Sequence, residues 1–180
     1  MKRLLILNAL LCWSAAVSAR EPNLVFILVD DWGITDAAVQ GSDFFETPVI
    51  DQFAADSLRF TQAYAASPVC SPTRAAIMTG KAPARLDMTI WHEGAIEGGP
   101  KDRRLLNAKA EPNLPREETT LAELFRQRDY YTAHIGKWHL GKAAFYPETQ
   151  GFDLNVGGTY WGAPVSFFYP YRGIWSKSDP

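Results

Sequence analysis

The sequence predicts an α/β fold in which a mostly parallel central sheet carries helices on both faces. An unbroken apolar run at residues 24–29 has the length and composition of a strand that is buried on both faces. Segments with helical spacing alternate with further strand-like segments, which is typical of parallel sheets. The composition, 47% hydrophobic and 21% charged residues, excludes a disordered or disulfide-dense chain.

The N-terminus has the pattern of an export signal. Lys2 and Arg3 precede an apolar run of 14 residues, and small residues follow up to Ala19. A membrane span needs about 20 residues, so a retained anchor is the less favoured alternative. We therefore expect a signal peptide at 1–19, no stable membrane span, and a secreted or periplasmic mature chain beginning at residue 20.

Cleavage of the leader would leave Cys70 as the single cysteine. An unpaired cysteine in an exported protein indicates chemistry, intermolecular pairing or chance. Without Lys2 and Arg3, 16 basic residues face 20 acidic ones, so the mature net charge is −4. This charge and the absence of a basic stripe argue against nucleic acid as a partner.

The first helix is predicted to begin at Pro48 with Thr47 as its N-cap, because a threonine followed by proline is a typical helix start. Ile50, Phe53 and Ala54 then lie on one face of this helix. A second strand is predicted over residues 58–64, where β-branched and aromatic residues return.

A short helix over residues 75–79 is predicted to end at Gly80, and Pro72 is a candidate for its first turn. His92 and His134 are interpreted as structural or loop residues, with a position near the substrate as the alternative for His92. Residues 94–118 combine glycine, proline and mixed charge without periodicity. We interpret them as a long surface loop.

Thr120 and Glu123 form a capping-box pattern at the start of another helix, and a third strand is predicted over 130–135. Residues 141–180 are rich in aromatic side chains but have neither helical nor strand periodicity. So many aromatic side chains would remain in water unless further chain covered them. We therefore expect the C-terminal part of the domain to be missing from this sequence.

Polar clusters follow each of the three predicted strands. Asp30 and Asp31 follow the first, residues 70–74 the second, and Lys137 and His139 the third. Ligands of open α/β sheets bind outside the carboxyl ends of the strands. The sequence therefore predicts that the three clusters converge.

Each cluster also has a second, structural interpretation. The aspartate pair is either a site for a hard cation such as Ca²⁺ or Mg²⁺ or a turn or helix cap. Cys70 and Arg74 are either a nucleophile near a helix N-terminus with an anion-binding arginine, or a small buried cysteine beside a structural arginine. Lys137 and His139 would point the same way on extended backbone, or else lie on the surface.

The residues resemble a known family at three points. Cys-Ser-Pro-Thr-Arg at 70–74 resembles the first sulfatase signature, whose core is Cys-x-Pro-x-Arg, and residues 130–139 resemble the second. Residues 22–33 resemble the opening strand and metal-binding aspartates of the same family. Order and spacing agree over residues 21–158. The chain is identified as a member of the sulfatase family within the alkaline phosphatase superfamily, with 20–180 as the N-terminal part of the catalytic domain.

Two features depart from the family pattern. Asp129 stands where the second signature usually has glycine, and aspartate tolerates a left-handed helix end better than most residues. The sequence also lacks the later segment that supplies a further Asp/Asn pair of metal ligands and a second lysine and histidine. We expect the first departure to do little damage and the second to leave the metal site incomplete.

The resemblance implies hydrolysis of sulfate esters. It implies that a formylglycine-generating enzyme oxidises Cys70 to formylglycine, an aldehyde whose hydrate attacks the sulfur and gives a covalent sulfo-enzyme. It also implies a role for each of the other site residues. Asp30, Asp31 and the modified Cys70 would hold Ca²⁺, with Mg²⁺ as the alternative; Arg74 would steady the hydrate; Lys137 would bind the sulfate; and His139 would hydrogen-bond near the formylglycine or the ester oxygen.

The substrate class follows only loosely from the resemblance, which is compatible with a sulfated carbohydrate or an aryl sulfate. Two alternatives remain open. One is a phosphodiesterase or phosphonate hydrolase of the same superfamily. The other is an inactive secreted fragment that binds metal or ligand without turnover.

Overall fold

The computed structural model describes residues 21–98, 102, 104–105, 108–164 and 167–168. The expected signal peptide at 1–19 and the last part of the aromatic-rich segment lie outside these residues. The chain divides into two units, Met1–Asp56 and Ser57–Pro180. In the part of the chain that is described, no helix has the length and apolar character needed to cross a membrane.

The first unit contains a 3-10 turn, Ala38–Gln40, which was not predicted, and helix α1, Pro48–Ala55, which was. Thr47 does not cap the helix with its side chain. Its Oγ1 instead accepts a hydrogen bond from the Ala38 N–H (2.9 Å) and donates to the Asp51 carboxylate (3.0 Å). The side chain of Thr47, the predicted N-cap, therefore ties the helix to the preceding turn.

The predicted strands at 24–29 and 58–64 are wrong. Neither segment pairs with a strand within the described ranges, and the six side chains at 24–29 are 41–81% exposed. A buried strand needs hydrogen-bonded neighbours and a covering layer on each face. The described residues supply neither of these, so the apolar composition of 24–29 led to a wrong prediction. The apolar face of α1 is likewise uncovered, with Phe53 exposed.

The described residues of the second unit contain three α-helices, and the first of them begins earlier than predicted. The helices are α2, Cys70–Thr79; α3, His92–Glu97; and α4, Leu121–Arg126. Cys70 is the first residue of α2, after Val69 in extended conformation, and Pro72 lies in the first turn, where its missing N–H is not needed. Gly80 ends α2 with φ +68° and donates its N–H to the Ala76 carbonyl, as predicted.

The predicted capping box of α4 is present. Thr120 Oγ1 accepts from the Glu123 N–H (3.2 Å), and the Glu123 carboxylate accepts from the Thr120 N–H (2.8 Å). The Thr120 hydroxyl also donates to the Gln150 carbonyl (2.7 Å), so the cap joins α4 to a later segment. Beyond the helix, Asp129 has φ +60°, the left-handed conformation expected at the glycine position of the signature.

Where the structure describes the chain, the sheet consists of two short parallel strands, β1 (Ala133–Ile135) and β2 (Leu154–Val156). Ala133 pairs with Leu154, and Ile135 pairs with Val156. Parallel pairing agrees with the predicted α/β class, although the third predicted strand is shorter than 130–135. β2 lies in a segment where no strand was predicted, because three residues are too few to show a period.

The core of the second unit packs around Trp138, with partners from four separate segments. They are Ala75, Leu86, Met88, Leu114 and Leu140. Leu114 is fully buried and donates its N–H to the Leu140 carbonyl (2.8 Å). Residues 94–118 are therefore not a surface loop throughout: the segment begins within α3 and returns to the core at Leu114. An isolated core residue leaves no periodic signal.

Candidate functional site

Helix α2 presents Cys70 and Arg74 one turn apart on the same face. Both residues are half-buried, whereas Ser71 between them is fully buried. The Arg74 guanidinium donates a hydrogen bond to the backbone carbonyl of Lys137. The first turns of α2 are thereby tied directly to the loop that follows β1.

The loop after β1 reaches the site through a kink rather than extended backbone. His139 has φ +60°, so the extended backbone that would align Lys137 and His139 does not continue through His139. The kink is held from two sides: the His139 N–H donates to the Thr159 carbonyl (3.0 Å), and the Ser71 hydroxyl donates to the His139 carbonyl (2.8 Å).

The hydrogen bonds from Ser71 and Arg74 place the two clusters side by side, and their groups shift one another's pKa values. Burial raises the pKa of the Cys70 thiol, but interaction with His139, the Lys137 charge and the Ser71 N–H together bring it below its ordinary value. Burial lowers the pKa of His139, while interaction with Cys70 and Glu93 raises it, and the net shift is upward. The arrangement favours the thiolate–imidazolium form of the pair.

A residue that the sequence did not single out, Glu93 on α3, completes the cluster. Its carboxylate lies 2.7 Å from Nε2 of His139. The preceding residue, His92, is buried, and its Nδ1 lies 2.6 Å from the Pro112 carbonyl oxygen. No spacing or motif pointed to Glu93, because the acid and the imidazole are 46 residues apart.

The segment 159–162 packs beside His139. A Cβ on Gly162 would lie 2.7 Å from Cε1 of the His139 ring, so this position accommodates only glycine without displacement. The neighbouring Tyr160 ring lies 6.0 Å from the His92 ring and from the partly exposed Trp161 ring. Aromatic residues of the C-terminal segment therefore adjoin the cluster.

Asp30 and Asp31, the other predicted site residues, belong to the first unit and are both exposed. They follow the apolar segment 24–29, as in the sequence prediction, but that segment is not a strand. Among the described residues, no group of three or more His, Cys, Asp or Glu side chains is arranged to hold a metal ion. The structure thus brings Cys70 and Arg74 together with the loop after β1. Asp30 and Asp31 belong to the other unit.

Known proteins with sequences similar to this chain belong to one family. A family model described as Sulfatase matches residues 22–172. Human steryl-sulfatase is 38% identical over 153 residues, which cover 81% of this chain and 25% of that protein. Human arylsulfatase A is 41% identical over 145 residues, which cover 79% of this chain and 26% of that protein. The chain therefore spans about a quarter of the length of these relatives.

Solved structures give the same result. The crystal structure of Ps i-CgsB has a TM-score of 0.61 at 32% identity and covers 77% of this chain and 29% of that chain. Its complex with k-i-k-neocarrahexaose has a TM-score of 0.56 at 29% identity, with coverage of 72% and 27%. The α/β class predicted from the sequence is confirmed. With its family model matched over 22–172, the chain belongs to the sulfatase family.

Proposed function

We propose that the protein hydrolyses sulfate esters through a nucleophile made from Cys70, with a divalent metal. The observation that carries the proposal is the cluster in which Cys70 and Arg74 of α2 adjoin Lys137 and His139 of the loop after β1. This cluster lies in a chain of the sulfatase family. Formylglycine at position 70, once formed, supplies an aldehyde hydrate whose hydroxyl is the nucleophile.

Arg74 and Lys137, the two cationic residues of the cluster, are proposed to stabilise the negative charge of the nucleophile and of the sulfate group. Arg74 lies one helical turn from Cys70, where a guanidinium holds an oxyanion in place. The Lys137 charge contributes to lowering the pKa of the Cys70 thiol, so its ammonium group lies within electrostatic range of the nucleophile. A fixed cation there binds the sulfate oxygens and stabilises the charge that develops during transfer.

His139 is proposed to serve as a hydrogen-bond and proton partner of the reacting groups. Its imidazole is almost fully buried and adjoins Cys70. A buried imidazole beside the nucleophile is within reach of either the attacking hydroxyl or the ester oxygen of the leaving alcohol. The nearby Gly162 backbone limits the space on one edge of the ring and so restricts its orientation.

We propose that Asp30, Asp31 and the modified Cys70 contribute ligands to Ca²⁺, or alternatively to Mg²⁺. Carboxylate oxygens are hard donors that suit either ion, and both aspartates are accessible. Ca²⁺ takes about 6–8 oxygen ligands, so further groups must complete its shell. When bound, such an ion activates a nucleophile and disperses negative charge.

The proposed substrate is a sulfated carbohydrate or an aryl sulfate. A relative with a TM-score of 0.56 was solved with k-i-k-neocarrahexaose, which supports the carbohydrate, and the name arylsulfatase A supports the aryl ester. The partly exposed Trp161 lies one residue from Gly162, which packs against His139. An aromatic side chain near the site offers a large apolar face to a sugar or aryl ring.

The setting of the reaction is also a proposal. Residues 1–19 would act as a signal peptide that directs the protein to the periplasm or outside the cell. Residues 20–180 would form the N-terminal part of the sulfatase catalytic domain. A formylglycine-generating enzyme would be the maturation partner, acting on Cys70 within the Cys-x-Pro-x-Arg core.

The first test is mass spectrometry of the peptide that contains Cys70, from protein produced with a formylglycine-generating enzyme. The mass of an aldehyde at position 70 is expected, and an unmodified thiol would contradict the proposal. Turnover of 4-nitrophenyl sulfate is then compared with that of the corresponding phosphate monoester and diester. Faster phosphate-ester hydrolysis would favour the phosphoesterase alternative, and no turnover by the modified protein would favour the inactive fragment.

Variants of two lysines test the assignment of the anion site. Lys137→Ala is expected to lower kcat by about 100- to 1,000-fold, the loss typical of removing one transition-state donor. Lys142→Ala removes an exposed lysine from the same loop and should leave kcat unchanged. Equal activities for the two variants would rule out the proposed role of Lys137.

A further inference from the structure

Glu93 and His139 form a pair that is largely shielded from water. The carboxylate oxygen lies 2.7 Å from Nε2, and the side chains of His139 and Glu93 are 3% and 19% exposed. Position 93 lies outside both sulfatase signatures in this sequence, at 70–74 and 130–139. The family motifs therefore assign it no role.

A buried hydroxyl fixes the geometry of this pair. Ser71 has no exposed surface; its hydroxyl accepts from the His92 N–H (3.1 Å) and donates to the His139 carbonyl (2.8 Å). One side chain thereby holds the backbone next to Glu93 and the backbone of His139 at fixed separation. On the other side, Gly162 packs against the imidazole edge. The contact between the Glu93 carboxylate and the His139 ring is thus held by the surrounding residues.

The hydrogen bond to Glu93 assigns the two ring nitrogens of His139. A carboxylate accepts, so Nε2 carries a proton toward Glu93. Nδ1 is buried and makes no hydrogen bond of normal geometry to a described residue. Burial lowers the pKa of the ring, whereas hydrogen-bonding and charge interactions with Cys70 and Glu93 raise it, so the ring adjoins both groups. Nδ1 is therefore the nitrogen left for substrate or for the modified residue 70.

We propose that Glu93 is a positioning residue for His139: its carboxylate holds Nε2 and fixes the ring so that Nδ1 serves the reacting groups. The consequence for catalysis rests on the proposed sulfatase function, whereas the pairing and the assignment of the nitrogens do not. The proposed role is to orient the ring, as outer-shell carboxylates orient histidines in other sites.

Kinetics of three variants test the catalytic consequence. Glu93→Ala is expected to lower kcat by about 10- to 100-fold, the usual effect of losing an outer-shell partner, with little change in KM because Glu93 is not proposed to contact substrate. Glu93→Gln keeps an oxygen that accepts from Nε2 and should recover part of kcat. Glu97→Gln removes an exposed carboxylate from the same helix and serves as the matched control.

An activity-independent measurement tests the pairing itself. The chain has three histidines, so a His139→Gln variant identifies the His139 signals in long-range ¹H–¹⁵N spectra of the imidazoles. Above the pH at which the ring titrates, the proton is expected on Nε2 in the wild type and in Glu93→Gln. In Glu93→Ala the ring should show a mixture of the two tautomers.

The two measurements separate failure of this inference from failure of the proposed function. If wild-type protein lacks sulfatase turnover but Glu93→Ala changes the tautomer, the function fails and the pairing stands. If turnover is present and Glu93→Ala changes neither kcat nor the imidazole spectrum, the inference is overturned. It is also overturned if Glu93→Ala only lowers the midpoint of thermal unfolding while folded protein keeps its kcat.

Discussion

Replacing Ser71 with alanine tests whether the site is assembled around one buried hydroxyl. This hydroxyl is fully buried and joins the His92 N–H to the His139 carbonyl. Alanine leaves both backbone groups buried without a partner. Each such group costs about 1–3 kcal/mol, so the free energy of unfolding should fall by at least about 2 kcal/mol.

Urea denaturation of Ser71→Ala and Thr149→Ala measures this cost against a matched control. Thr149 Oγ1 also bonds two backbone carbonyls, those of Tyr146 and Ala144, but the residue is exposed, so water replaces the lost hydroxyl. Its variant should stay within about 0.5 kcal/mol of wild type. Equal midpoints for the two variants would refute the argument that burial makes the Ser71 hydroxyl costly to remove. They would also refute the role of that hydroxyl in fixing the Glu93–His139 pair. Ser71 is the variable position of Cys-x-Pro-x-Arg, so aldehyde formation at Cys70 should survive the change.

The other predictions concern the scaffold of the second unit. Gly151→Ala should destabilise the protein more than Gly157→Ala in urea denaturation. Both glycines have positive φ, but of these two only Gly151 lies where a Cβ would meet neighbouring backbone, 2.6 Å from the Glu123 nitrogen. Comparable losses would mean that strain at positive φ, about 1–2 kcal/mol, accounts for both. Hydrogen bonds from Thr132 lower the pKa of Asp153 below its ordinary 3.8, so its contribution to stability is present above that value and is lost as the pH falls through the lowered pKa. Asp153→Asn should therefore weaken the acid dependence of stability below about pH 4 in denaturation at several pH values; an unchanged dependence would contradict this.

Local signals in the sequence predicted local structure well. The capping box at Thr120, the glycine stop of α2 at Gly80 and the proline start of α1 all involve partners within four residues, and all three elements form. The apolar run at 24–29 failed because a strand depends on partners that a window of sequence does not contain. The short strand β2 was missed for the opposite reason: its partner β1 is present, but three residues carry no period.

The convergence of Cys70 with the loop after β1 was predicted from strand ends, and the structure produces it by another route. Of the three segments expected to end in polar clusters, only β1 is a strand. Glu93 was not predicted at all, because a short helix with no side-chain cap gives no signal and its partner lies 46 residues away. A side-chain pair that is so far apart in sequence is identified only from the three-dimensional structure.

The physical link between the two signature segments runs from side chains of the first to backbone carbonyls of the second. Ser71 and Arg74 of the first segment each donate to a carbonyl of the second, that of His139 and that of Lys137. The backbone of Lys137 and His139 is therefore held against α2 by the Ser71 hydroxyl and the Arg74 guanidinium, which positions the ammonium and imidazole groups at the site. Substituting Lys137 should then affect turnover while leaving the packing of α2 on the loop intact, whereas substituting Ser71 should affect both.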